Sequence, residues 1–177
     1  MSAYTDQGAT FSADLAHRYR CWRTWSDAPP LAWLMLNPST ADASVLDPTL
    51  RRCEAFSRRE GAGGFEVWNL WSLRSTDPAE LWRWIEAGQP EEVFADNANA
   101  ILAEAARFPR VVCAWGAFSK CPPRLLPGAE AVAIAAADKI ATYTTLYRLG
   151  APTKSGQPRH PLYVDGATPL VSHRSAP

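Results

Sequence analysis

Four short apolar runs, each cut off by a polar residue or a glycine, most constrain what this 177-residue chain can fold into. Leu31-Ala-Trp-Leu-Met-Leu-Asn37 stops at Pro38, and Phe65-Glu-Val-Trp-Asn69 follows a turn rich in glycine (Gly61, Gly63, Gly64). Arg110-Val-Val-Cys-Ala-Trp115 stops at Gly116, and Tyr143 to Leu149 stops at Gly150. Runs this short and this apolar suit strands buried on both faces of a parallel sheet. Helical patterns lie between them. Asp47-Pro48 offers an N-cap with proline at the first helical position and leads a helix to about Glu60. Asp77-Pro78 repeats the signature ahead of Leu81-Trp-Arg-Trp-Ile85, and a longer helix is expected from about Glu91 to Phe108, closed by Pro109. The alternation predicts a three-layer α/β/α domain with a short, mainly parallel central sheet.

A chain of this length fits one domain with a full core. Residues 1–28 read as an N-terminal β-hairpin. Ala9 to Ser12 and Arg18 to Trp25 alternate loosely, with Tyr19, Cys21, Arg23 and Trp25 on one face and Arg18, Arg20, Trp22 and Thr24 on the other. Such a ribbon is expected to cover a sheet edge. The α/β core is then 29–165, and 166–177 reads as an irregular tail. There is no internal repeat and no low-complexity segment.

Eighteen basic and eighteen acidic residues cancel. That balance argues against a strongly electrostatic, sequence-blind nucleic-acid binder, though not against a local basic patch. The densest candidate is Arg51, Arg52, Arg58 and Arg59, for which a solvated helix face is the plainer account. Eight tryptophans among 177 residues are many, and aromatics mark stacking surfaces as well as cores. Cys21, Cys53, Cys113 and Cys121 are scattered, without the spacing that zinc or an iron–sulfur cluster needs, so neither a metal nor another cofactor is expected. The polar start and the lack of a long apolar run predict a cytoplasmic protein with reduced thiols and no membrane partner. The oligomeric state is left open.

In an open α/β sheet, ligands bind beyond the carboxyl ends of the strands. Asn37-Pro-Ser-Thr40, Asn69 and Trp115-Gly116 lie at those ends and are expected to converge. Pro38 fixes its own φ and biases Asn37 toward an extended backbone. Asn37 can then present its amide to a ligand or a water, with Ser39 and Thr40 adding hydroxyls. The same four residues are also good turn formers. Arg51 and Arg52, near the start of the helix that Asp47 caps, oppose its dipole, and a bound phosphate would relieve that conflict. Simple solvation of both is the competing account. Asp42 and Asp47 could alternatively hold a divalent cation, although two carboxylates without a third are a weak signal. Asn69 interrupts an apolar run, where an unpaired amide costs about 1–3 kcal/mol, so either backbone satisfies it or it reads a ligand edge. For Asn97, on the apolar stripe of its helix, a structural hydrogen bond is the expectation.

Lys154-Ser-Gly-Gln-Pro-Arg-His160-Pro-Leu-Tyr163 is a polar loop whose Lys154, Arg159 and His160 are candidate donors. Nearby prolines restrain His160, whose imidazole could stabilise a developing anion. A lone histidine is nevertheless more often structural. No G-x-S-x-G elbow, P-loop, G-x-G-x-x-G or H-E-x-x-H is present, so the common hydrolase, kinase, dehydrogenase and zincin classes have no motif support.

Together, Leu36-Asn-Pro-Ser-Thr-Ala-Asp42, Asp47-Pro-Thr-Leu-Arg-Arg52, Val67-Trp-Asn-Leu70, Val112-Cys-Ala-Trp-Gly116 and the Lys154–Tyr163 segment resemble a bacterial and phage family catalogued as domain-of-unknown-function 1643. The resemblance spans nearly the whole chain, and the family name implies no activity. More distantly, Asn37-Pro38, Asn69, Trp115-Gly116 and His160-Pro161 are similar, in order, to four motifs of the uracil-DNA glycosylase superfamily. That resemblance implies a glycosylase-like fold and a nucleobase, nucleotide or nucleic acid as partner. It also implies roles: Asn37 places a water near the sugar carbon, Asn69 reads the base edge, and His160 stabilises charge on the departing base. Two other classes compete, a non-catalytic module that senses a nucleotide or modified base, and a metal-dependent phosphohydrolase using Asp42 and Asp47.

Overall fold

A computed structural model describes residues 4–40, 46–88 and 91–174. Seven strands form one sheet: β1 (Asp6–Phe11), β2 (Arg18–Thr24), β3 (Leu31–Met35), β4 (Gly64–Asn69), β5 (Arg110–Cys113), β6 (Thr145–Leu149) and β7 (Leu170–Arg174), in the spatial order β1-β2-β4-β3-β5-β6-β7. The helices are α1 (Pro48–Arg59), α2 (Pro78–Glu86), α3 (Glu91–Ala105) and α4 (Leu126–Ala141).

The centre of the sheet is parallel, since β3 pairs in parallel with β4 and β5, and β5 with β6. Taken whole, however, the sheet is mixed rather than mainly parallel. The pairs β1–β2, β2–β4 and β6–β7 are antiparallel. The departure has two sources. The N-terminal hairpin joins the edge through β2 and extends the sheet, and part of the expected irregular tail returns along β6 as β7. Neither return needs the long crossover that a parallel neighbour demands.

The buried strands separate two cores by their period of two. Along β3, Leu31, Trp33 and Met35 face α1, packing with its Leu50, Cys53 and Phe56. Ala32 and Leu34 face the other way, toward Trp82 of α2, Ile101 of α3 and Ala133 of α4. The chain moves from β3 to β4 in one direction and then back past β3 to β5. Right-handed crossovers in opposite directions place their helices on opposite faces, which is why α1 stands alone against α2, α3 and α4. The reversal also makes β3 and β5 neighbours whose following loops leave toward opposite faces, the arrangement that opens a crevice in such sheets.

The helix starts are built as their sequences imply. The Asp47 carboxylate accepts from Leu50 N at 2.7 Å and that of Asp77 from Ala79 N at 3.1 Å, with proline entering each first turn. No helix among the described residues is long and apolar enough to cross a membrane.

Candidate functional site

A cavity of about 630 Å³ opens in that crevice, at the carboxyl ends of β3, β4 and β5. Asn37, Ser39, Asp47, Asn69, Trp115, Gly116, Arg159 and His160 all line it, so eight of the residues singled out from sequence converge here. Pro38, Thr40, Arg51, Arg52 and Lys154 do not. Asp42 lies outside the described residues.

Each of these side chains is held differently. The Asn37 amide nitrogen donates to the carbonyls of Pro38 (3.2 Å), Leu73 (3.3 Å) and Ser75 (3.0 Å), tying the loop after β3 to the loop after β4. Its nitrogen is thus spent on the scaffold, and Oδ1 remains as the acceptor for anything in the cavity. Asp47 is engaged at both oxygens, one capping α1 and the other accepting from the Ser39 hydroxyl. Among the described residues no group of three His, Cys, Asp or Glu could hold a metal ion.

Asn69 is the exception. It is the last residue of β4, only 1% exposed, and its Nδ2 has no hydrogen-bond partner. An amide nitrogen sealed from water without an acceptor is costly, by about 1–3 kcal/mol. A ligand acceptor in the cavity that Asn69 lines would remove that cost.

His160 caps a 3₁₀ turn, Pro161–Tyr163, and its Nδ1 accepts from Leu162 N at 3.3 Å. With Nδ1 an acceptor, the neutral ring carries its proton on Nε2. Burial holds the imidazole pKa down to about 4, against the opposing pull of the Asp47 charge. At neutral pH the ring is therefore an uncharged donor.

The position of this histidine is set from two sides. Gly116 donates its N–H to Pro158 O at 3.0 Å and packs so closely that a Cβ there would stand 3.3 Å from His160 Cβ. Its φ of +81° begins a tight loop in which Phe118 (+52°) and Lys120 (+60°) are also left-handed. Non-glycine residues in that region cost free energy and cluster at functional sites. From the other side, Arg52 donates through Nε to Pro161 O at 3.1 Å and through Nη2 to Val164 O at 2.6 Å. Arg52, proposed from sequence for a phosphate, instead clamps the segment that carries His160. Arg51 and Lys154 are exposed, and Thr40 uses its carbonyl to accept from Arg74. Trp115 edges the cavity with its ring buried and its Nε1 donating to Gln157 Oε1 at 3.0 Å.

Among the lining residues that the sequence reading did not single out, Arg18 and Tyr163 bear most on the site. Arg18 is 2% exposed, although alternation along β2 sets it on the face opposite Cys21 and Arg23. The register explains why. Thr10 pairs with Arg20 but Phe11 with Arg18, so Tyr19 is an extra residue. This bulge swings Arg18 onto the face of Cys21 and into the cavity wall. Burial lowers its pKa from the ordinary value, and the nearby Cys21 and Asp47 oppose that shift. The other residue is Tyr163, which lines the mouth at 81% exposure, with its ring 5.5 Å from that of His160. Its ring offers an exposed aromatic face at the cavity's edge.

A family model described as a protein of unknown function (DUF1643) matches residues 18–162. The match covers β2 through His160 and so takes in every strand end that lines the cavity. No curated protein and no solved structure matches the chain.

Proposed function

The chain belongs to the DUF1643 family, and from its site we propose that it binds a nucleobase in the cavity and hydrolyses the N-glycosidic bond joining that base to a sugar. The observation that carries this reading is the unpartnered Nδ2 of Asn69, a buried donor on a residue that lines the cavity. Tyr163 at the mouth offers a π-face against which a flat heterocycle stacks.

The remaining groups suit the chemistry. As the C–N bond breaks, its electron pair moves onto the base, and the neutral His160 donates Nε2–H to the base oxygen where that charge gathers. Asn37 Oδ1 accepts from a water and turns its lone pair toward the sugar carbon, where the new C–O bond forms. The proton that this water loses ends on the released base. The same logic underlies the resemblance of Asn37-Pro38, Asn69, Trp115-Gly116 and His160-Pro161 to the uracil-DNA glycosylase superfamily.

A second reading, a module that binds a base without turnover, is favoured by one observation. Asp47 is the sole carboxylate among the described lining residues, and protein donors hold both of its oxygens. Among the described lining residues, no carboxylate stands ready to activate a water.

The test is base release from DNA and nucleosides carrying normal, deaminated and modified bases, with and without chelator. It compares wild type with His160→Asn, whose shorter side chain keeps an acceptor for Leu162 N but loses the imidazole donor. Release by wild type, insensitive to chelator and lost in the variant, supports the glycosidase. Binding without release supports the second reading, and activity that chelator abolishes points to metal chemistry instead.

A further inference from the structure

We propose that Gln157 is a positioning residue for His160, fastening the loop that carries it to the end of β5 and to α4 through a single amide. Its role presupposes that His160 is the donor to the departing base, whereas the tether itself stands on hydrogen bonds alone. The indole N–H of Trp115 donates to Gln157 Oε1 at 3.0 Å, and Gln157 Nε2 donates to Glu130 Oε1 at 3.1 Å. The indole is a donor only and the carboxylate an acceptor only, so the orientation of the amide between them is fixed. Turned over, it would lose both bonds. An ionised glutamate or a methionine could not bridge the two, because the position needs a donor and an acceptor on one side chain. The bond to Glu130 is charge-assisted, about twice as strong as a neutral one.

The backbone around Gln157 is held as well. Its N–H donates to Thr153 Oγ1 at 3.1 Å, its carbonyl accepts from Thr153 N at 2.8 Å, and the carbonyl of Pro158 accepts from Gly116 N at 3.0 Å. Gln157 is half-buried and outside the cavity lining, to which Thr153, Arg159 and His160 belong. Only Pro158 and Arg159 separate it from His160, a stretch that reaches about 10 Å at full extension. Fixing the amide therefore limits where the imidazole can sit. Arg52 secures the same segment from its other end, through Pro161 and Val164.

Nuclear magnetic resonance titration of the three imidazoles of the full chain reads the position of His160 without a ligand. Burial keeps the His160 pKa at about 4, and a ring that regains water moves back toward its ordinary value. In Gln157→Leu, similar in size but without polar atoms, His160 is expected to titrate about one pH unit or more higher, a tenfold or larger change in proton affinity. Glu130→Leu, which removes the α4 end of the tether, moves it in the same direction. Glu130→Gln, which keeps an acceptor for Gln157 Nε2, leaves it close to wild type. These two variants lose the same charge, so the difference between them isolates the hydrogen bond. Asp47, whose charge acts on the ring, and Arg52 and Arg159, which hold or flank its segment, are the same throughout. An unchanged His160 titration in Gln157→Leu overturns the proposal, as does an equal shift in Glu130→Leu and Glu130→Gln. Should Gln157→Leu fail to fold by circular dichroism, the Glu130 pair decides alone. The titration is independent of base release, so a wild type that releases no base counts against the glycosidase and not against the tether.

Discussion

Arg52 of α1 reaches across to the backbone of the residue that follows His160, its Nε donating to Pro161 O at 3.1 Å while Nη2 holds Val164 O at 2.6 Å. The guanidinium also lies over the Phe56 ring, 4.8 Å from its centroid, so its own position is fixed by packing. A lysine cannot span both carbonyls with one fixed fork. Arg52→Lys should lower stability by about 1 kcal/mol in urea unfolding and weaken ligand binding through the loosened His160 segment. Arg51→Lys, on an exposed neighbour off the cavity, should change neither.

Asn69 separates a structural from a functional role by the sign of its effect. Were its amide part of the scaffold, its loss would destabilise the fold. Because Nδ2 is buried without a partner, Asn69→Leu should instead hold or raise the unfolding free energy of the ligand-free chain, by up to about 1 kcal/mol. Ligand binding should fall in the same variant. Chemical denaturation of both proteins reads the sign directly.

The imidazole of His160 gives a pH dependence with a definite direction. Its pKa is about 4 in the fold and near its ordinary value, close to 6.5, in the unfolded chain. Below that upper value the unfolded chain takes up the proton more readily. Stability from this residue is therefore complete above about pH 6.5, declines as pH falls toward 4, and changes no further below it. The slope from one such group is at most about 1.4 kcal/mol per pH unit. Burial lowers the pKa of His17 and His173 too, so they act with the same sign. Urea midpoints measured between pH 4 and 7 should show a shallower dependence in His160→Asn than in wild type.

Gly116 carries two constraints at once, a φ of +81° and the closeness of His160. Gly116→Ala should cost about 1–2 kcal/mol in stability and displace His160, so that activity or binding falls together with the melting temperature.

Where the sequence was legible, a local physical signal stood behind it. Asp47-Pro48 and Asp77-Pro78 announced α1 and α2 because capping and proline chemistry act within one turn. The strand ends could be named because buried strands are short, apolar and sharply stopped. The helix α4 went unmarked for the opposite reason. Its N-cap, Leu125, offers no side-chain hydrogen bond, and its run of alanines has little polar contrast. Strand β7 was hidden because an edge strand behind Gly166 and Pro169 has no signal until β6 is there to pair with it. Arg18 was placed on the wrong face of β2 because a bulge at Tyr19 shifts the alternation, and a bulge depends on the partner strand. Local chemistry thus revealed which residues gather at the strand ends. What each of them does there, above all the difference between the engaged amide of Asn37 and the unpartnered amide of Asn69, emerged only from the neighbours.

The most direct test of the account is calorimetric titration of free nucleobases, natural and deaminated, into wild type and Asn69→Leu at neutral pH. The account predicts that at least one base binds wild type with one-to-one stoichiometry, and that Asn69→Leu, still folded, binds it about tenfold or more weakly. Binding of equal strength in the two proteins, or no binding of any base to wild type, would contradict it.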